Sequence, residues 1–360
     1  MFTPTPLRRT LAAAIRDLSS QKAEVRASAA RDLAVAGQDD AVAAGEALVA
    51  VLGDSSPAVR AEAVLALGAI GARSRIEAVA KLVDDSETMV RQYAVLSLTQ
   101  LGGDRARELL DEAWKRSEPD VRFQALLGMA IVDPRRALDL CLESAGDDDA
   151  WVASEAALQL GQLFVEDHGE GMAAWATEAD RARSREKLRG LLTASSQRVA
   201  LCAAMALSRL DDDRGRDVIV RFVKRELSLE ASDDESDLRS EAIEQLGRLG
   251  GDTARAALEP IAWRMLPSVD RELARAALAR MGDSKACAMV VEKLGSRWAA
   301  QRQTGVSLAM SGRVVQAVPV LIELLRTGGA DRASVIAALE VMPDARAKEA
   351  LAEYGKATGE

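Results

Sequence analysis

Few residues in this 360-residue chain are of the types that do chemistry. The one histidine, His168, lies in "EDHGE" beside Glu166, Asp167 and Glu170, a possible metal-ligand set. One imidazole with no second helical ligand pair is a poor frame for zinc, so no metal and no cofactor are expected and the segment reads as a solvated loop. The three cysteines, Cys141, Cys202 and Cys287, are far apart and at neither metal nor redox spacing. They read as buried thiols in a reducing compartment. Ser232 and Ser236 lie in the acidic run "SLEASDDESD", which suits phosphorylation and an ordinary exposed loop equally well. No nucleophile–base pair and no glycine-rich phosphate loop occurs, so no catalytic residue is assigned.

What does recur is a pattern. "SPAVRAEAVLALGAIG" (56–71) returns 31 residues later as "ETMVRQYAVLSLTQLG" and again as "EPDVRFQALLGMAIV". Aligned on the Val-Arg pair, the repeats begin at Val25, Val59, Val90, Val121, Val152, Val199 and Leu238, then less regularly at Asp270, Ala300 and Asp331. Four residues on comes a small residue (Ala29, Ala63, Ala94, Ala125, Ala156, Ala203, Ala242, Ala274). Eight on comes a large one, from Leu33 and Leu67 to Leu308 and Leu339. Offsets of four and eight share one helix face, so the small position admits a close neighbour and the large one fills a core. Between these Val-Arg helices run second amphipathic segments such as "RARELLDEAWKRS" and "PRRALDLCLESAG". One such hairpin cannot bury both its faces, whereas a stack of hairpins can.

The turns repeat as well. Asp54, Asp85, Asp147 and Asp233 stand five residues before the valine column, where an aspartate can close a turn or cap a helix. Arginine follows the valine at Arg26, Arg60, Arg91, Arg122, Arg239, Arg271 and Arg332. An acidic turn residue, "VR", a small residue and "L-G" at these offsets resemble HEAT repeats, of the bacterial kind also seen in phycobilin-lyase-like proteins. The resemblance covers nearly the whole chain as about ten repeats. It implies an all-α, α-α superhelix (HEAT-like, armadillo-like solenoid). It also implies a structural ladder between successive repeats built from Asp54, Arg60, Asp85, Arg91, Arg122, Asp147, Asp233 and Arg239. Deoxyhypusine hydroxylase, a HEAT-repeat metalloenzyme, uses paired His-Glu motifs that this sequence lacks.

Two breaks interrupt the period. The step from Val152 to Val199 is 47 residues, with the excess in "FVEDHGEGMAAWATEADRARS"; the step to Leu238 is 39, with the excess in the acidic run. Ala153 and Ala200 replace the arginine beside the first break. The expected organisation is therefore repeats one to five over 1–163, an insertion and hinge over 164–184, and repeats six to ten with a terminal cap over 185–360.

Leu65 does not fit a helix that faces only its core. At 100° per residue from Val59 the core direction is about 40°, and Leu65 falls near 240°. The same outer column reads Arg31, Leu65, Leu96, Leu127, Leu158, Met205, Glu244. Five successive large apolar residues on an outer face form a patch that needs an explanation. The resemblance places such a stripe inside the concave groove. The expected partner-binding set is Leu65, Tyr93, Leu96, Phe123, Leu127, Leu158, Leu201 and Met205, with Gln92, Gln100, Gln124, Glu155 and Gln162 as a polar rim. Regular spacing of anchors suits an amphipathic helix or an extended peptide. Inter-repeat packing, cover by the insertion with Phe164, Met172 and Trp175, or a homodimer would hide the stripe instead.

Composition narrows the function. Apolar residues are 48%, charged residues 29% and aromatics 3%, the balance of a folded helical protein. Net charge is −9, which argues against nucleic acid as partner and favours a basic one. The N-terminal "MFTPTPLRRTLAAAIRDLSS" has too short an apolar run for a signal peptide, and no stretch reaches membrane-spanning length, so a cytoplasmic location is expected. The expected function is a non-enzymatic scaffold holding another protein in an apolar groove. A bilin- or tetrapyrrole-handling activity, implied by the lyase resemblance, is the alternative. Nucleic-acid binding, as in HEAT-like alkylpurine DNA glycosylases, asks for a basic concave face that the apolar column does not offer.

Overall fold

The computed structural model describes residues 9–37, 39–164, 175–229 and 234–358. Among these residues it is all-helical, with helical hairpins in succession and no strand. Ten Val-Arg helices appear: Ala23–Leu33, Pro57–Ala69, Thr88–Leu101, Pro119–Val132, Ala150–Gln162, Gln197–Arg209, Glu235–Leu249, Val269–Arg280, Ala299–Gly312 and Arg332–Glu340. The intervening helices fall where the second amphipathic segments predict them, for example Gly103–Trp114, Pro134–Ser144 and Val318–Thr327. The segment "RIEAVAKLVDD" is the weakest: a five-residue helix, Ile76–Ala80, passes into a 3-10 turn, Lys81–Asp84.

The small and large columns are core. Ala29, Ala63, Ala94, Ala125, Ala156, Ala203, Ala242 and Ala274 are fully buried, and so are Leu67, Leu98, Met129, Leu160, Leu207, Leu246 and Leu278. The valine column is buried from Val59 to Leu238. Asp270 is half-buried, while Ala300 and Asp331 are exposed, so the later repeats enter their helices differently.

Successive Val-Arg helices come into backbone contact. A Cβ built on Gly68 would lie 2.9 Å from Ser97 Cα, and one on Gly247 would lie 2.8 Å from Ala277 Cα. No side chain larger than hydrogen fits at either position without displacing the neighbour. The Ser97 hydroxyl, fully buried, donates to the Val64 carbonyl at 2.8 Å and joins the same two helices.

The contact pattern divides the chain into two units, Met1–Lys187 and Leu188–Glu360. The division falls within the helix Glu178–Leu191. The described residues of the segment 164–184 belong to unit 1. Phe164 and Trp175 stack with ring centroids 5.9 Å apart, Arg181 stands over the Phe164 ring, and Arg135 donates to the Trp175 carbonyl at 2.7 Å. His168, Glu166, Asp167, Glu170, Met172, Ser232 and Asp233 lie outside the described residues. Cys141, Cys202 and Cys287 are buried free thiols, and desolvation pushes the Cys141 and Cys287 thiols up from their ordinary value.

A charged ladder and an apolar cleft on one row of helices

The ladder is set by the turns. In three of the turns that precede Val-Arg helices, an aspartate accepts the backbone N–H two residues on: Asp54 from Ser56 at 2.8 Å, Asp85 from Glu87 at 3.0 Å, Asp147 from Asp149 at 2.9 Å. The arginine of the preceding repeat then docks on the same carboxylate with a two-pronged grip. Arg26 holds Asp54 at 2.7 and 2.7 Å, Arg60 holds Asp85 at 2.8 and 2.7 Å, and Arg122 holds Asp147 at 2.9 and 2.8 Å. The third nitrogen turns back to its own repeat: Arg60 Nη1 donates to the Asp54 carbonyl at 2.9 Å, and Arg91 Nη1 to the Asp85 carbonyl at 3.0 Å. Each arginine thus ties two turns together, using the planar fork that lysine lacks.

These pairs are largely removed from water; the side chains of Arg60 and Asp85 are 13% and 8% exposed. Hydrogen bonding to Arg26 and to Arg60 holds the carboxyls of Asp54 and Asp85 below the usual carboxylate value. The aspartates in turn raise Arg26, Arg60 and Arg122.

The arginine keeps its place while the acid moves. Arg91 pairs with Asp120 at 3.0 and 3.1 Å, because the fourth repeat has Arg116 where the turn aspartate would stand. Arg239 pairs with Asp270 at 2.8 Å and donates to the carbonyls of Phe222 and Val223. At the first break Ala153 and Ala200 offer nothing, and Arg198 takes over by pairing with Asp234. The fixed five-residue spacing hid Asp120, Asp234 and Asp270; only reach, not spacing, selects them.

On the outer face, the residues expected to meet a partner divide by unit. In unit 1, Leu65, Tyr93, Phe123, Leu127 and Leu158 are half-buried and Leu96 is 38% exposed. In unit 2 the expectation fails: Leu201 and Met205 are both 0% exposed. Every residue from Val199 to Ser208 is buried, so the helix Gln197–Arg209 has no solvent face on which the column could lie. Both are core, and neither can touch a partner.

The accessible members in unit 1 surround a cleft. Leu96 and Thr99 from one helix, Gln124, Leu127, Gly128 and Ile131 from the next, and Gln159, Gln162 and Leu163 from the third enclose about 380 Å³. Beside it, sharing Gln124, a hollow of about 350 Å³ is lined by Gln92, Phe123 and Trp151. The wall is largely apolar and its polar groups are three amides and the Thr99 hydroxyl, a lining suited to side chains of another molecule and to its backbone. The fit follows from the tight helix row: Gly128 has no side chain, and Thr99 and Leu110 close over it. Ile131, 73% exposed, and Trp151, 45% exposed, belong to this surface and were not among the expected residues. Ile131 was findable: ten residues after Val121 it falls near 280° on the same outer face.

A HEAT repeat model matches residues 9–88 and 76–161. Residues 9–161 are HEAT repeats. The ladder from Arg26 to Asp147 lies within these residues, as does the cleft from Leu96 to Gln159. Among solved structures, a homology model of the full-length AP-3 complex in an intermediate open conformation is 13% identical, covering 82% of this chain and 56% of that one, at a TM-score of 0.50. YibA of Escherichia coli is 17% identical over 75% of this chain and 92% of its own, with a TM-score of 0.49. The complex of CpcE and CpcF of phycocyanin lyase from Nostoc sp. PCC7120 is 18% identical, covering 86% and 96%, with a TM-score of 0.34. No curated protein matches the sequence. Among the described residues no helix is long and apolar enough to cross a membrane, and no group of three potential metal ligands occurs.

Proposed function

We propose that this protein is a non-enzymatic scaffold whose unit 1 holds a helix or extended peptide of another protein against Leu96, Leu127, Ile131 and Leu158. The observation that carries this reading is the cleft of about 380 Å³ between three consecutive Val-Arg helices, apolar at its base and edged by Gln124, Gln159 and Gln162. An apolar floor supplies affinity, and amides at the edge satisfy the backbone of the guest. Leu65, Tyr93 and Phe123 extend the surface along the row. The array is similar in fold to a component of the AP-3 complex, itself an assembly of proteins. The overall charge of −9 speeds encounter with a basic partner.

The test is a pull-down with purified protein as bait, comparing wild type with Leu96→Glu/Leu127→Glu. Neither leucine is fully buried, so the double variant is expected to fold with an unchanged circular dichroism spectrum. Specific partners are expected to drop at least tenfold in recovery. Equal recovery by both baits removes the cleft from the function.

A further inference from the structure

Unit 2 carries a second outer-face cleft with a different chemistry. It runs between the helices Val269–Arg280 and Ala299–Gly312 and encloses about 510 Å³. Val269, Leu273, Ala276 and Leu308 form its apolar lining. Around its entrance Met265, Leu266, Val269 and Trp298 are 93%, 78%, 70% and 62% exposed.

Its two ends differ in how charge is paired: the acid at the entrance is neutralised by arginines, whereas the arginines at the far end have no partner among the described residues. At the entrance stands Glu272, whose Oε1 is engaged by Arg271 and Arg275 and whose Oε2 is buried with no hydrogen-bond donor. At the far end the helices finish in Arg280 and Arg313, one turn past Ala276 and two residues past Ser311 of the lining. Close backbone approaches fix these arginines side by side. Gly312 abuts Ala276 and Ala279, which brings Arg313 to Arg280; Gly247 abuts Ala277, which brings Arg248 to the other side. Arg248 is paired with Asp211. Among the described residues Arg280 and Arg313 make no side-chain hydrogen bond or ion pair. Crowding by protein holds the Arg280 guanidinium below its ordinary value, and the like charges of Arg313 and Arg248 add to this; Glu244 offsets only part.

Register shows that the charge is particular to this unit. Ten residues after the repeat start, unit 1 carries Val35, Ala69, Gln100, Ile131 and Gln162, all uncharged; unit 2 carries Arg209, Arg248 and Arg280, followed by the uncharged Met310 and Val341. The helical offset is the same and points to the same outer face.

We infer that the cleft between Val269–Arg280 and Ala299–Gly312 binds an amphipathic peptide helix, its apolar side on Val269 and Leu273 and its acidic C-terminal end on Arg280 and Arg313. Charge complementarity selects this occupant. The C-terminal end of a helix is its negative end, and carboxylates there meet two unpaired guanidiniums. The cleft helices, of 12 and 14 residues, are about 18 and 21 Å long, room for roughly three to four turns of guest helix.

The experiment is display selection of random twelve-residue peptides on the full chain, with Leu96→Glu/Leu127→Glu in the bait so that the unit 1 cleft is disabled. The expected pool has spaced apolar residues followed by Asp or Glu near the C-terminus. Fluorescein-labelled winners are then titrated by anisotropy against that bait and against the same bait with Arg280→Glu/Arg313→Glu. The expected loss is at least tenfold in affinity, with Kd rising also between 0.05 and 0.5 M salt as roughly expected from screening. Both arginines are unpaired, so thermal unfolding is expected to stay unchanged and to separate lost binding from lost fold. A pool rich in Lys or Arg, winners indifferent to the charge reversal, or no enrichment over blank beads overturns the inference. So does a dimer abolished by Arg280→Glu/Arg313→Glu in sedimentation, which would assign the cleft to a second copy. Binding of a fluorescein-labelled single-stranded DNA lost in that variant would assign the arginines to nucleic acid and likewise overturn it.

Discussion

Arg60 illustrates how one side chain does three jobs: it grips Asp85, returns a hydrogen bond to the Asp54 carbonyl, and stays out of water while doing so. Removing it leaves Asp85 buried and charged with only backbone N–H support. Arg60→Ala is therefore expected to cost about 3 kcal/mol, read as a lower urea midpoint, because breaking a desolvated pair costs more than the pair is worth against water. Arg60→Lys restores the charge without the fork and is expected to recover less than half of that loss. The depressed carboxyls of Asp54 and Asp85 also set a pH dependence. Their folded values lie below the unfolded one, so their contribution is complete above the unfolded carboxylate value of ~4 and is lost as pH falls further. Urea midpoints are expected to fall from pH 5 to pH 3, and by less in Asp54→Asn/Asp85→Asn, whose midpoint is already lower at pH 7.

The Val-Arg helix is the element from which both ladder and cleft are made, and its packing was legible in the sequence to an uneven degree. The columns four and eight residues after the valine are core in unit 1 because a 3.6-residue period leaves them no other face. The outer column was legible as a column, but its exposure was not. Leu96 and Met205 occupy equivalent positions, yet one is 38% exposed and the other 0%. Periodicity gives a direction around one helix; what stands in that direction is decided by the neighbours, and every residue from Val199 to Ser208 is enclosed. In the same way a spacing rule found Asp54 and Asp85 but missed Asp120 and Asp270, since a long guanidinium accepts any carboxylate within its reach. The glycines test the element's packing directly. Gly247→Ala puts a methyl 2.8 Å from Ala277 Cα and is expected to lower stability by about 1–3 kcal/mol, despite the better helix propensity of alanine. An unchanged melting temperature in Gly247→Ala would mean that the helices do not approach as closely as described.

At the scale of the chain, two units each own a stack of buried alanines and leucines. Stability in such arrays is a sum of local terms, and cooperativity weakens where neighbouring contacts thin out. Calorimetry is expected to resolve more than one transition, and Arg60→Ala is expected to move only the one belonging to unit 1. A single transition shifted as a whole would show that the units unfold together.

The ladder also has a sense of direction. Each arginine reaches forward to the aspartate of the following turn, while each aspartate already serves its own helix by accepting a backbone N–H. Shortening the array from its beginning leaves a carboxylate that still has work to do. Shortening it from its end leaves a cation over a raw surface with only its own turn's carbonyl to hold. Between truncations of equal length, those that remove trailing repeats should therefore yield the less soluble and more aggregation-prone products.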